Sequence, residues 1–148
     1  MRRFAGAVLA VGAVLAAGCT DVKPAGPRRL AVEPAKLTDF EAGAVSRYAF
    51  SQMREGRVPS VAWIVEPQPA DLSKRKRLIG LDYGSCSGNP RPTTATLEGT
   101  TVVVALEPEP GVGMCGGTGI VEGIVVTLPA NARAKTARLI GDGDGDGD

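Results

Sequence analysis

The chain has 148 residues, about one domain's length, with 43% hydrophobic and 22% charged residues. Its 17 basic and 16 acidic side chains nearly balance, which excludes a strongly basic nucleic-acid binder. It contains no histidine, which excludes a Ser-His-Asp triad, a Cys-His dyad and histidine-ligated zinc or copper.

Met1-Arg2-Arg3 is a short cationic start, and residues 4–18 are apolar or small without a charge. That run falls short of the ~20 residues that span a bilayer as a helix. A positive start, a short apolar core and small residues at its end predict a secretory signal over residues 1–18. The signal closes on Leu15-Ala16-Ala17-Gly18-Cys19, which resembles a bacterial lipobox. Ala16 stands where that family more often has leucine. A plain signal-peptidase site is the alternative. The resemblance implies cleavage before Cys19, a diacylglycerol on its thiol and palmitate-type acylation. Two acyl chains give stable anchoring where one gives only reversible binding. The expected address is the outer face of the cell membrane, with the membrane itself as a partner through Cys19.

Residues 19–37 hold Pro24, Pro27 and Pro34 and show neither helical nor strand periodicity, so they are expected to be an extended tether. In polyproline form, at ~3.1 Å per residue, such a tether reaches about 50 Å. A disulfide-bonded, β-rich domain is expected over residues 38–141.

Thr38 and Glu41 have the spacing of a capping box, which predicts a helix start. Phe40, Ala44 and Tyr48, flanked by Val45, Ala49 and Met53, form a wide apolar stripe suited to packing on a sheet. Gly56 is the expected C-cap and Pro59 the stop. Beyond Pro59 the period changes. Residues 61–65, 78–83, 93–97, 100–106, 120–128 and 137–140 are short β-type runs, the third and fourth joined at Glu98-Gly99. In the fourth, Val102, Val104 and Leu106 point one way, and Thr101, Val103 and Ala105 the other. The expected fold is α+β, with one N-terminal amphipathic helix on a mainly antiparallel sheet of five to six strands. A small all-β sandwich with an accessory helix is the alternative.

If lipid occupies Cys19, only Cys86 and Cys115 remain, and an oxidising compartment pairs them. The loop closed would hold 30 residues, for roughly 3.6 kcal/mol of stabilisation on the chain-entropy model. No C-x-x-C pair or histidine supports a redox or zinc site instead. Both cysteines sit in glycine-rich stretches. One of these, Gly111-Val112-Gly113-Met114-Cys115-Gly116, fits G-x-G-x-x-G as a string. A β-type run follows it rather than a helix, so no nucleotide cofactor is expected.

Ser85 and Ser87 lack a positioned base. Asp82, Glu98, Glu107, Glu109 and Glu122 are acids on or near strands, and a glycosidase needs two of them across a cleft. No catalytic residue, metal or cofactor is assigned. Lys74, Arg75, Lys76 and Arg77 form the one basic run of the body. They protect a loop or strand edge, or contact anionic wall polymer or lipid headgroups. Asp142, Asp144, Asp146 and Gly147 match the start of an EF-hand loop, but the glutamate at its twelfth position is missing. Residues 142–148 are therefore expected to be a disordered acidic tail.

The layout resembles small lipoproteins of high-GC Gram-positive bacteria. The expected function is a non-enzymatic, membrane-tethered binding or interaction module whose partner is an extracellular protein or wall polymer, not nucleic acid. Trp63, Tyr83 and the basic run are the candidate contacts. A structural or envelope-stress protein without a discrete ligand is the alternative, followed by a small hydrolase.

Overall fold

The β-branched runs are strands, and one more strand precedes them. The computed structural model describes residues 26–108 and 118–141. In chain order these form β1 (Arg28–Ala35), α1 (Asp39–Ser51), β2 (Val61–Ile64), β3 (Lys76–Ser85), β4 (Thr93–Glu98), β5 (Thr101–Leu106), β6 (Thr118–Thr127) and β7 (Thr136–Ile140). They make one seven-stranded sheet in the order β2-β3-β6-β1-β4-β5-β7. Five of the six neighbouring pairs are antiparallel, and β5 with β7 is the parallel pair. The two edge strands, β2 and β7, come back into proximity without pairing, so the sheet is nearly closed on itself.

This overturns the expected helix on a five- or six-stranded sheet; the all-β alternative fits better. The first element is β1, inside what was expected to be a tether. Pro34 hid it, yet the strand tolerates this proline. Arg28, Arg29 and Leu30 pair with β4 on one side, while Ala31 to Ala35 pair with β6 on the other. A strand with one neighbour at each point loses less to a missing N–H than a fully paired one. The handover from β4 to β6 makes β1 the corner at which the sheet turns.

Alternation fills the interior. Ile79, Leu81 and Tyr83 of β3, Ile124 and Val126 of β6, and Ala95 and Leu97 of β4 face inward. Val102, Val104 and Leu106 of β5 join them, as their spacing predicts. Burying each large aliphatic side chain contributes about 1.5–3 kcal/mol. The β4–β5 turn is Gly99-Thr100, one residue later than expected, with Glu98 opposite Thr101. Gly99 takes φ 61 at the first turn position, as a II′ hairpin requires.

Helix α1 starts at the expected box. Thr38 Oγ1 accepts the Glu41 N–H at 3.2 Å, and the Thr38 N–H donates to Glu41 Oε2 at 2.9 Å. Its buried face is narrower than the stripe, being only Val45 and Ala49. Phe40 is 71% exposed and Phe50 63%. Two glycines explain the narrow contact. Gly80 and Gly123 lie opposite each other on β3 and β6. A β-carbon on Gly80 would overlap Val45, and one on Gly123 would meet Leu37. The sheet is thus bare where the helix and its lead-in cross, and two small side chains complete the seam. Tyr48 stacks on Trp63 of β2 with ring centroids 5.9 Å apart.

Candidate binding groove

After α1 the chain makes a second, very small hairpin. The Arg54 N–H donates to Arg57 O at 3.0 Å, and the Arg57 N–H returns to Arg54 O at 2.9 Å. Between them Glu55 has φ 51 and Gly56 φ 72, the left-handed pair of a type I′ turn. A non-glycine residue in that region costs on the order of 1 kcal/mol. The turn sets Arg54 directly opposite Arg57, and like charges so placed repel. Among the described residues neither side chain has an ion-pair partner. Gly56, expected to cap the helix, serves this turn instead; Gln52 is the C-cap.

The turn forms the rim of an open groove of about 930 Å³. The groove lies where β2 and β7 fail to pair, at the end of the sheet that holds the C-terminal ends of β3, β5 and β7. Ala62 and Ala137 line the seam, and Gly84, Arg91, Leu106 and Gly141 line the end. Gly141 lies against Leu106; a β-carbon there would come within 3.1 Å of the leucine's own. Small residues therefore keep the groove open.

Arg91 is held rigidly in this wall. It is 8% exposed, and its Nε and Nη2 donate to Glu107 O at 2.8 and 2.5 Å. Its backbone N–H donates to the Tyr83 hydroxyl at 2.9 Å, which in turn donates to Glu122 Oε1 at 2.7 Å. Burial, then the Glu122 carboxylate, pushes the Tyr83 phenol well above its ordinary range. Tyr83 therefore stays neutral and works as a bridge, not as a base. Arg138 also lines the groove, but its Nη2 lies 3.4 Å from Glu98 Oε2. With Arg91 and Arg138 engaged, Arg54 and Arg57 against the single acid Glu55 leave the groove's rim basic. Such guanidinium groups suit carboxylate or phosphate oxygens.

The residues expected to bind are dispersed. Lys74, Arg75, Lys76 and Arg77 lie at or before the start of β3, the opposite end of the sheet from the groove. Arg75 Nε donates to Leu128 O at 3.1 Å, and Arg77 Nη1 donates to Lys74 O and Lys76 O, both at 2.8 Å. Lys76 Nζ lies 3.4 Å from Glu33 Oε2. Much of the run's hydrogen bonding goes to its own turn. Trp63 and Tyr83 share no face: Trp63 opposes Gly80 on the outer side, while Tyr83 points inward. Asp82 and Glu122 likewise lie on opposite faces, because Glu122 opposes Leu81. Burial raises the Asp82 carboxyl above its ordinary range, partly offset by a hydrogen bond from Ser46. Ser85 is buried and donates to Asn89 O at 2.7 Å, with Ser87 Oγ at 3.2 Å. Ser85 thus ties the end of β3 to the turn that follows, in which Ser87 lies. Among the described residues no three Cys, Asp or Glu gather as a metal site.

Cys86 is disulfide-bonded, and it is the only cysteine among the described residues. Cys19, Cys115, Glu109, the glycine string 111–116 and the acidic residues 142–148 lie outside them. No helix among the described residues is long and apolar enough to cross a membrane.

Among the described residues, fold and groove together define a nearly closed, seven-stranded mixed β-sheet with one outer helix and a basic cleft at its open seam. No family model, curated protein or solved structure matches the chain.

Proposed function

We propose that this protein is a lipid-anchored module on the outer face of the cell membrane that binds an anionic ligand in the groove between β2 and β7. The address rests on the cationic start, the apolar run and the lipobox-like end at Cys19. The disulfide is proposed to join Cys86 to Cys115, the cysteine that lipidation leaves over. The binding reading rests on one observation above all. Arg54 and Arg57 are held side by side on the groove's rim by a turn with a left-handed glutamate. Strain and like-charge repulsion there are offset once an oxyanion bridges the two guanidinium groups. The ligand class is a polyanion such as a phosphate-bearing wall polymer. The role is binding, without chemistry on the ligand.

Trp63 is the only tryptophan and stacks on Tyr48, which lines the groove. Its fluorescence therefore reports occupancy. Titration of the mature protein with linear polyphosphate is expected to saturate. The Arg54→Ala/Arg57→Ala variant is expected to bind about 10-fold more weakly, each exposed charge-assisted contact contributing up to about 1 kcal/mol. Absence of saturation, or equal binding by the variant, overturns the reading.

A further inference from the structure

The groove continues past Ala62 and Ala137. With Tyr48, both also line a second, smaller cavity of about 210 Å³. The groove faces Val61 at the start of β2 and Gly141 after the end of β7. The smaller cavity faces Trp63, Ile64 and Glu66 at the other end of β2, and Lys135 and Thr136 at the start of β7. The two cavities thus follow one another along a single seam. We propose that the smaller one binds a sugar ring, so that the seam as a whole takes a polymer that carries both phosphate and sugar. The proposal rests on the reading of the groove as an anion-binding site and names what the ligand carries beside its phosphate.

Three features carry it. The first is a flat apolar base. Tyr48 and Trp63 both line the cavity, and their rings lie within 24° of parallel with centroids 5.9 Å apart. The C–H face of a pyranose ring packs on such a surface, while the hydroxyl groups at its edge reach polar partners. The second is the polar pair beside the rings. Glu66 accepts and Lys135 donates, which matches hydroxyl groups that do both. Among the described residues neither has an ion-pair partner. The Lys135 backbone is fixed by its N–H bond to Thr100 O at 2.7 Å. The third is charge. One acid and one base balance each other, so this cavity suits a neutral ligand, unlike the arginine rim.

The same residues disfavour the other occupants. An organic cation would use the two rings and Glu66, but Lys135 repels it. A second phosphate would gain Lys135 and meet Glu66. A wholly apolar ligand would cover both charged side chains without giving them a partner. A sugar ring uses the rings, the acceptor and the donor together. Ala62 and Ala137, with only β-carbons, leave the passage between the two cavities open.

Trp63 is the only tryptophan, so its indole N–H gives a single NMR signal. The ¹⁵N-labelled mature protein is titrated with maltotriose and with cellotriose, which carry no phosphate. At least one is expected to move the indole signal saturably and to leave the backbone signals of Arg54 and Arg57 in place. Poly(glycerol phosphate) bearing glucose is expected to bind about 10-fold more tightly than the bare polymer. The charge-neutral pair Glu66→Gln/Lys135→Met is expected to remove that difference; both side chains are exposed, so the fold is kept. Trp63→Leu should do the same. An indole signal unmoved by both trisaccharides, or equal affinity for the two polymers, overturns the inference. If the bare polymer then still binds and loses binding on Arg54→Ala/Arg57→Ala, the groove remains an anion site and only the sugar cavity falls. If the indole signal moves but neither polymer saturates, the anion groove falls, and the polymer spanning the seam falls with it.

Discussion

Val45 of α1 occupies the space that a side chain at Gly80 of β3 would fill. A β-carbon on Gly80 would overlap Val45 Cγ2, and Val45 is 0% exposed. The helix therefore depends on a missing methyl group. Gly80→Ala is expected to destabilise the fold by about 1–3 kcal/mol through overpacking. Val45→Ala in the same chain should return part of that loss, so the double variant costs less than the two singles combined. Thermal denaturation of the four proteins checks this. Strict additivity would show that the two residues do not share the space.

Tyr83 bridges two strands and a turn. Its hydroxyl donates to Glu122 and accepts from the Arg91 N–H. Tyr83→Phe is expected to cost about 1–3 kcal/mol, because it leaves a buried N–H without its acceptor. The phenol is raised above its ordinary value of 10.0. A raised value in the fold means stability held below pH 10 and lost as pH climbs beyond it. Denaturant unfolding between pH 9 and 11 should show the wild type losing stability faster than Tyr83→Phe.

Asp82 works in the opposite sense to a salt-bridged carboxylate. Burial raises it above 3.8, with the Ser46 hydrogen bond opposing. Its charged form is disfavoured in the fold, so its contribution is greatest in acid and falls as pH rises through the carboxylate range. Asp82→Asn is expected to be slightly more stable than the wild type at pH 7, by under about 1 kcal/mol for a group only partly buried. The difference should vanish by pH 3. A variant less stable than the wild type at pH 7 would count against this balance.

Cys86 is disulfide-bonded. If Cys115 completes the bond, Cys86→Ser, Cys115→Ser and the double variant should share one loss of about 2–4 kcal/mol. Cys19→Ser should leave the stability of the folded part unchanged. A loss on Cys19→Ser, or distinct losses for the other two, would reassign the pairing.

The sequence carried the local elements better than their assembly. Val102, Val104 and Leu106 alternate plainly, and the Thr38–Glu41 box marks the helix start, because both signals are short-range. Strand β1 was hidden by Pro34 and by the adjacent basic pair Arg28 and Arg29, whose place at a corner no local pattern reveals. Closure of the sheet was equally illegible, since β7 joins β5 in parallel across a long separation. Phe40 and Met53 were expected to pack, but Gly80 and Gly123 bring the helix down on Val45 instead. The groove was missed for a similar reason. Arg54-Glu55-Gly56-Arg57 looks like the end of a helix, and only the left-handed conformation of both central residues turns it into a rim.

The proposed site lies at the β2–β7 seam, far from the basic run at the start of β3. Backbone NMR of the ¹⁵N-labelled protein, titrated with polyphosphate, separates the two directly. The expected result is a set of saturating shifts at Arg54, Arg57, Gly84 and Gly141, with Lys74, Arg75, Lys76 and Arg77 little changed. Shifts confined to the Lys74–Arg77 end, with the groove residues unmoved, would contradict it.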